Sequence, residues 1–125
     1  MINLIGEITK LLEQFVEVHY QWNFSKTVTY PYLVYTYTTE PLENDQSMGV
    51  YIDFDLFDNR GRDNERIETV HHDMLQYFKN KDNQVHLHDD FLLRIDFLTI
   101  SPFPTGSDTL QRRTGQLYAR IDWRK

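Results

Sequence analysis

The chain has 125 residues, of which 40% are hydrophobic and 26% charged, and its formal net charge is −6. This size and composition predict one globular domain spanning residues 1–125, and the net negative charge disfavours general binding to nucleic acid phosphates. The sequence contains no cysteine, which excludes disulfides and thiolate zinc sites, and no window approaches the roughly 20 apolar residues of a membrane span.

Charge is distributed unevenly along the chain. Residues 1–58 hold two Lys or Arg and nine Asp or Glu, a balance of −7, whereas residues 59–125 hold eleven and ten, a balance of +1. A solvated surface is the commoner reason for such asymmetry. Opposite ends of two copies could also attract each other.

The first half of the chain predicts one helix and two strands. Apolar residues recur at spacings of three and four from Ile2 to about Tyr20, which is typical of an amphipathic helix. Residues 32–39 are rich in Tyr, Val and Thr and predict a strand with apolar residues on both faces, which favours cover on each side or an interface on one. Residues 50–57 alternate as a strand whose outer face carries Asp53 and Asp55.

The second half predicts a helix followed by three strands. The helix runs from roughly Asp63 to Lys79, a short strand covers Val85 to His88, and a longer strand covers Phe91 to Ile100. The last strand places Leu117, Ala119, Ile121 and Trp123 on its core face. The order αββαβββ predicts an α+β fold, with two amphipathic helices packed on one face of a mixed or mainly antiparallel sheet of about four to five strands.

Histidines and carboxylates offer two metal hypotheses. His86 and His88 would share a strand face, followed by Asp89-Asp90, but a third ligand must come from elsewhere and His71 and His72 diverge on a helix. The carboxylates Asp53, Asp55 and Asp58 lack the Gly and Glu that a calcium loop needs at positions six and twelve. Surface histidines and outward carboxylates are the preferred interpretation, so no metal or cofactor is predicted.

An enzymatic alternative is a small metal-dependent nuclease or hydrolase. It would use Asp96, Asp122 and Lys125, together with a histidine from position 86 or 88. The sequence shows no Gly-rich phosphate loop, nucleophile elbow or cysteine nucleophile. We therefore expect no enzymatic activity and no catalytic residue.

Tyrosines on the first strand and a polar segment before the last strand are the candidate interaction sites. The neighbours of Tyr32, Tyr35 and Tyr37 are Thr and Glu rather than Lys and Arg, which favours packing or a protein interface over single-stranded nucleic acid. The segment from Ser101 to Thr114 predicts a long loop that carries Asp108 and the basic pair Arg112 and Arg113. These six side chains are the predicted oligomer or partner interface.

The order of these parts resembles the tail terminator family of long-tailed bacteriophages, also described as tail completion or head–tail joining proteins. The resemblance covers nearly the whole chain and rests on "YPYLVY", with Pro31, Tyr32 and Val34, and on the strand, turn and helix of "VYIDFDLFDNRGRDNERIETVHHDMLQYF", with Gly61 in the turn. Asp108 and the pair Arg112-Arg113 match a loop before the last strand.

This resemblance implies a structural protein that forms a ring, commonly a hexamer, on the end of the tail tube. Such a ring stops tube growth and presents a surface for the head connector. The implied partners are other copies of the chain, the tail tube protein and a head connector or head-completion protein, with no membrane and no specific nucleic acid. The implied location is the tail–head junction of the virion, after synthesis in the bacterial host cytoplasm. The segment "QWNFSKTVTY" lacks the Gly and Ala expected of the family, which leaves another neck or minor tail protein as an alternative.

Overall fold

The computed structural model of the protein describes residues 2–23, 25–42 and 46–124. It is an α+β fold with two α-helices and one mixed sheet of six strands in the order β1-β2-β3-β6-β5-β4. The elements are α1 (Ile2–Glu13), β1 (Glu17–Tyr20), β2 (Tyr32–Pro41), β3 (Ser47–Asp58), α2 (Glu65–Lys79), β4 (Val85–Leu87), β5 (Phe91–Pro102) and β6 (Gln111–Trp123), with a 3₁₀ turn at Lys81–Asn83. The α+β class is confirmed, whereas the predicted strand count and order omitted β1.

The first helix is shorter than predicted, because it ends at Glu13 rather than near Tyr20. The Gln14 side chain donates a hydrogen bond to the Leu11 carbonyl at 2.8 Å and so satisfies one acceptor of the last turn. Beyond that point Val16 and Val18 are both buried, which is the period of a strand. The segment from Glu17 to Tyr20 pairs in parallel with β2.

The four long strands form an antiparallel block. The register places Tyr35 opposite Phe54, Phe54 opposite Gly115, and Gly115 opposite Ile100. β4 adds a short antiparallel strand against Leu92–Arg94 of β5. The predicted alternation of β3 is confirmed, since its four apolar residues of even number from Val50 to Leu56 are buried.

The long polar loop is shorter than predicted. β5 continues to Pro102 and β6 begins at Gln111, with Ser101 opposite Thr114 and Pro102 opposite Arg113, so only residues 103–110 connect the two strands. Pro102 at the end of β5 and Arg112 and Arg113 at the start of β6 are residue types that are common in loops. Their strand pairing, of Arg112 and Arg113 with β3 and of Pro102 with Arg113, overrides that local preference.

Both helices pack on one face of the sheet, as predicted, and the core lies between them. Its fully buried members include Leu4, Ile8 and Leu12 of α1, Ile67, Met74 and Phe78 of α2, and Leu33, Ile52, Ile95 and Leu117 of the sheet. The opposite face, here called the open face, carries Tyr32, Asp53, Asp55, Arg112 and Tyr118. No described helix is long and apolar enough to cross a membrane.

Candidate functional site

The histidines do not form a chelating pair. The Nε2 atom of His86 lies 2.6 Å from the carbonyl oxygen of Asn83. The ring of His88 stacks on Phe91 with 4.5 Å between centroids, and its Nδ1 accepts from the Asp90 N–H. Within residues 2–23, 25–42 and 46–124, no group of three or more His, Asp or Glu is arranged to hold a metal ion.

The carboxylates of the calcium-loop hypothesis and of the nuclease hypothesis do not converge on one site either. Asp53 accepts from Gln116 at 2.8 Å, and Asp55 accepts from Arg112 at 3.0 Å, both on the open face. Asp58 lies on the opposite face with no exposed surface. Asp122 is opposite Leu92, four residues along β5 from Asp96, so the two proposed nuclease carboxylates are separated by roughly 13 Å along the strand. Lys125 lies outside the described residues.

Tyr35 belongs to the core, which corrects its predicted place at an interface. It is 1% exposed, donates a hydrogen bond to the Ile5 carbonyl at 2.9 Å, and lies 2.6 Å from the Thr9 hydroxyl. Burial raises its pKa to about 12. Tyr32 and Tyr37 remain partly exposed, the first stacked on Phe57 and the second on Tyr20. Only these two of the three tyrosines can contact a partner.

The predicted basic pair is divided between the two faces of β6, because neighbouring strand residues point in opposite directions. Arg113 is 7% exposed and forms an ion pair with Glu68 of α2, so it fixes the helix to the sheet. Beside it, burial and the Arg113 charge lower the pKa of His71. Arg113 therefore does not extend into a loop as the sequence predicted.

Arg112 lies on the open face, where its charge is already matched. Its Nε donates to Asp55 Oδ1 at 3.0 Å, and its guanidinium lies 4.2 Å from the Phe103 ring centroid. Asp108 is exposed at the tip of the 103–110 connection. That connection contacts the turn before α2, since the Gly61 N–H donates to the Thr109 carbonyl at 2.9 Å. Gly61 has a φ of 62°, the left-handed conformation that favours glycine.

Exposed apolar side chains instead occur mainly at the two lateral ends of the sheet. The end formed by β1, β2 and the connecting residues 21–23 and 25–31, called the β1 end, exposes 66% of Trp22 and 41% of Val28. The end formed by β4 and β5, called the β4 end, exposes Val85, Leu87 and Leu98, with Leu87 at 73%. Leu75 of α2 and Leu98 line one groove between α2 and β5. Six of the eight large apolar side chains exposed among the described residues are thus placed at these ends.

Each end also has a concave surface beside an incomplete edge. At the β1 end, a cavity of about 310 Å³ is lined by the 21–23 segment, Val28 and the open-face residues Tyr32, Val34, Asp55 and Phe57. At the β4 end, a groove of about 680 Å³ separates α2 from residues 96–100 of β5. The edge strands β1 and β4 cover only part of their neighbours, because they pair with Tyr32–Tyr35 and Leu92–Arg94 respectively. Exposed strand edges are templates for further pairing.

From the sequence, only Tyr32 and Tyr37 of the β1 end were expected at an interface, and the β4 end was missed, although two signals were present. The alternation of Val16, Val18 and Tyr20 indicates a strand, and Val85 and Leu87 alternate with histidines in an otherwise polar stretch. No protein-family model matches the chain, and a search of curated proteins finds no match. The resemblance to tail terminators thus remains an expectation from the sequence.

Proposed function

We propose that this chain is a non-enzymatic assembly subunit of a phage or prophage tail, which forms a ring at the end of the tail tube. The observation that carries the proposal is the presence of two different exposed apolar patches at opposite lateral ends of one sheet. A ring of three or more subunits requires this kind of surface, because each subunit meets its neighbours head to tail through two unlike patches. Trp22 at one end is the type of residue that dominates interface energies.

The function follows from joining this surface to the sequence resemblance. A ring built from the ends of the sheet leaves most of the open face and the tip of the 103–110 connection free for other contacts. We assign these to the tail tube protein and to the head connector, with six as the expected number of subunits. In this assignment the ring stops growth of the tube by occupying its end.

The proposal places the gene for this chain in a phage or prophage genome. Deleting the gene from that genome provides the test. The expected result, by negative-stain electron microscopy after induction, is tail tubes of uncontrolled length without attached heads. A plasmid copy of the gene should restore tails of normal length joined to heads. Tails of normal length without heads would instead indicate a neck protein, and normal complete particles would contradict the proposal.

A further inference from the structure

We propose that copies of this chain join edge to edge, β4 and β5 of one copy against β1 and β2 of the next. In this joint, β4 of the first copy and β1 of the second occupy the two halves of a single strand position, which lies between β5 of the first copy and β2 of the second. This inference rests on the proposed function, since it assigns the contact through which the ring would close. It also determines which residues meet across that contact. The occupant of both lateral ends is therefore a second copy of this chain.

The two edge strands cover opposite halves of the sheet. β1 lies beside Tyr32–Tyr35, at the beginning of β2. β4 lies beside Leu92–Arg94, and the cross-strand row of Arg94 runs through Arg120 and Gly49 to Glu40, near the end of β2. Two copies can be placed side by side with their cross-strand rows aligned, that is, at equal height. β4 of the first copy then faces the uncovered part of β2 of the second, and β1 of the second copy faces the uncovered part of β5 of the first. The stepped ends are complementary without any offset.

Strand direction is consistent with this joint. β1 is parallel to β2, and three successive antiparallel pairings make β5 run opposite to β2. β4 is antiparallel to β5, so β4 and β1 run in the same direction. Each half strand also extends toward the other, because the Gln21 N–H donates to the Tyr35 carbonyl at 2.8 Å and the Gln84 carbonyl accepts from the Ile95 N–H at 2.7 Å. In the joint, only about two residue positions would separate the end of β1 from the start of β4, level with Tyr37 and Thr38 of β2.

The same rows predict which residues meet. His19 shares a row with Val34, Asp55, Thr114 and Ser101, so His19 of one copy lies opposite Ser101 of the next on the open face. The His19 side chain is partly exposed, with its Nε2 atom 3.3 Å from Glu17 Oε2 of the same chain, and Ser101 is exposed. The joint therefore places two accessible side chains of neighbouring copies beside each other on the open face.

Exposed apolar side chains meet at the remaining gap. Trp22 directly follows Gln21 at the end of β1, and Leu98 is the unpaired residue of the bulge between Phe97 and Thr99 in β5. Gln21 and Thr99 lie at nearly the same height, so Trp22 of one copy approaches Leu98 of the other. The contact would bury two of the most exposed apolar side chains of the single chain.

Disulfide cross-linking tests the joint, because the chain has no native cysteine. His19→Cys and Ser101→Cys are purified separately, mixed and mildly oxidised. Opposed antiparallel residues have Cα atoms roughly 4.5–5.5 Å apart, within the roughly 4.4–6.8 Å that a disulfide allows. The proposal predicts a two-chain product in the mixture and its loss when either variant is oxidised alone. Replacing Ser101→Cys by Asp108→Cys, at an exposed position outside the joint, is the matched control and should give only background product.

A second pair protects the test against misfolding of the first. Glu17 and Phe103 are both exposed and lie at the same height, so Glu17→Cys mixed with Phe103→Cys should cross-link as well. A Ser101→Cys product without its partner would mean symmetric pairing and would overturn the joint. Oligomers of the wild-type chain with no product from either pair would overturn the joint and leave the ring proposal standing. A monomeric wild-type chain with no product would overturn both.

Discussion

At the scale of single residues, Asp58 at the end of β3 is a fully buried carboxylate. It has no exposed surface, accepts from Arg66 Nε at 2.8 Å and from the Asn59 N–H at 2.8 Å, and thereby attaches α2 to the sheet. Burial alone would raise the pKa of Asp58, but the hydrogen bonds and charge of Arg66 outweigh it and lower the pKa. From the sequence, Asp58 was grouped with Asp53 and Asp55 by its spacing and was expected to face outward, which is wrong. Its ion pair with Arg66 could not be predicted, because it depends on how α2 packs against the sheet.

Asp58→Asn should lower the free energy of unfolding by about 2 kcal/mol at pH 7, since it weakens the charge-assisted hydrogen bonds from Arg66, whose side chain is partly exposed. The folded-state pKa of Asp58 is lowered, so its contribution is present above its unfolded pKa of about 3.9 and is lost as pH falls through the folded value. Urea unfolding between pH 7 and pH 3 should therefore give a flatter acid limb for the variant. Asp53→Asn, on the open face, is the control and should change stability by less than about 0.5 kcal/mol. Equal losses for the two variants would contradict this role.

At the scale of elements, the sheet depends on a close approach at Gly115 of β6. A Cβ atom there would lie 2.6 Å from the Thr99 carbonyl oxygen and would also collide with the Phe54 ring. Thr99 follows the bulge in β5, where the register shifts after Phe97. The glycine permits the two strands to remain paired on both sides of that irregularity.

Gly115→Ala should destabilise the protein by roughly 1–3 kcal/mol, because a carbonyl oxygen and a packed ring cannot both move away. Gly6→Ala is the matched control, since a Cβ at Gly6 of α1 meets nothing within 4 Å. It should stabilise the protein by up to about 1 kcal/mol through helix propensity. Thermal unfolding followed by circular dichroism measures both. A neutral Gly115→Ala variant would show that the strands can separate at this point.

The elements also show what local sequence patterns can predict. The helix α2 and the strands β3 and β5 were found because apolar residues recur at the helical or strand period over most of their length, and β2 was found because it is rich in Tyr, Val and Thr. β1 was missed because Phe15 and Val18 continue the helical spacing, and only parallel pairing with β2 distinguishes the two structures. The limits of the 103–110 connection were wrong for a similar reason, since the pairing of Pro102 with Arg113 is a property of the ladder.

At the scale of the whole molecule, part of the candidate site was predictable. Tyr32 and Tyr37 were expected at an interface, and both lie partly exposed near the β1 end. Tyr35 and Arg113 were assigned to the same surface but are buried, because sequence alone does not specify which strand face the helices cover. The stepped ends of the sheet arise from the lengths of β1 and β4, which no local pattern encodes.

We propose that this chain assembles head to tail through the lateral ends of its sheet. Light scattering from micromolar to millimolar concentration tests this assembly, with Leu98→Lys at the β4 end and Asp108→Lys, at the exposed position outside the joint, as paired variants. We expect the mass to rise from the single-chain 15.1 kDa to one discrete multiple above two, and we expect Leu98→Lys to suppress this rise much more than Asp108→Lys. A wild-type chain that stays at 15.1 kDa, or stops at a symmetric dimer, would contradict it.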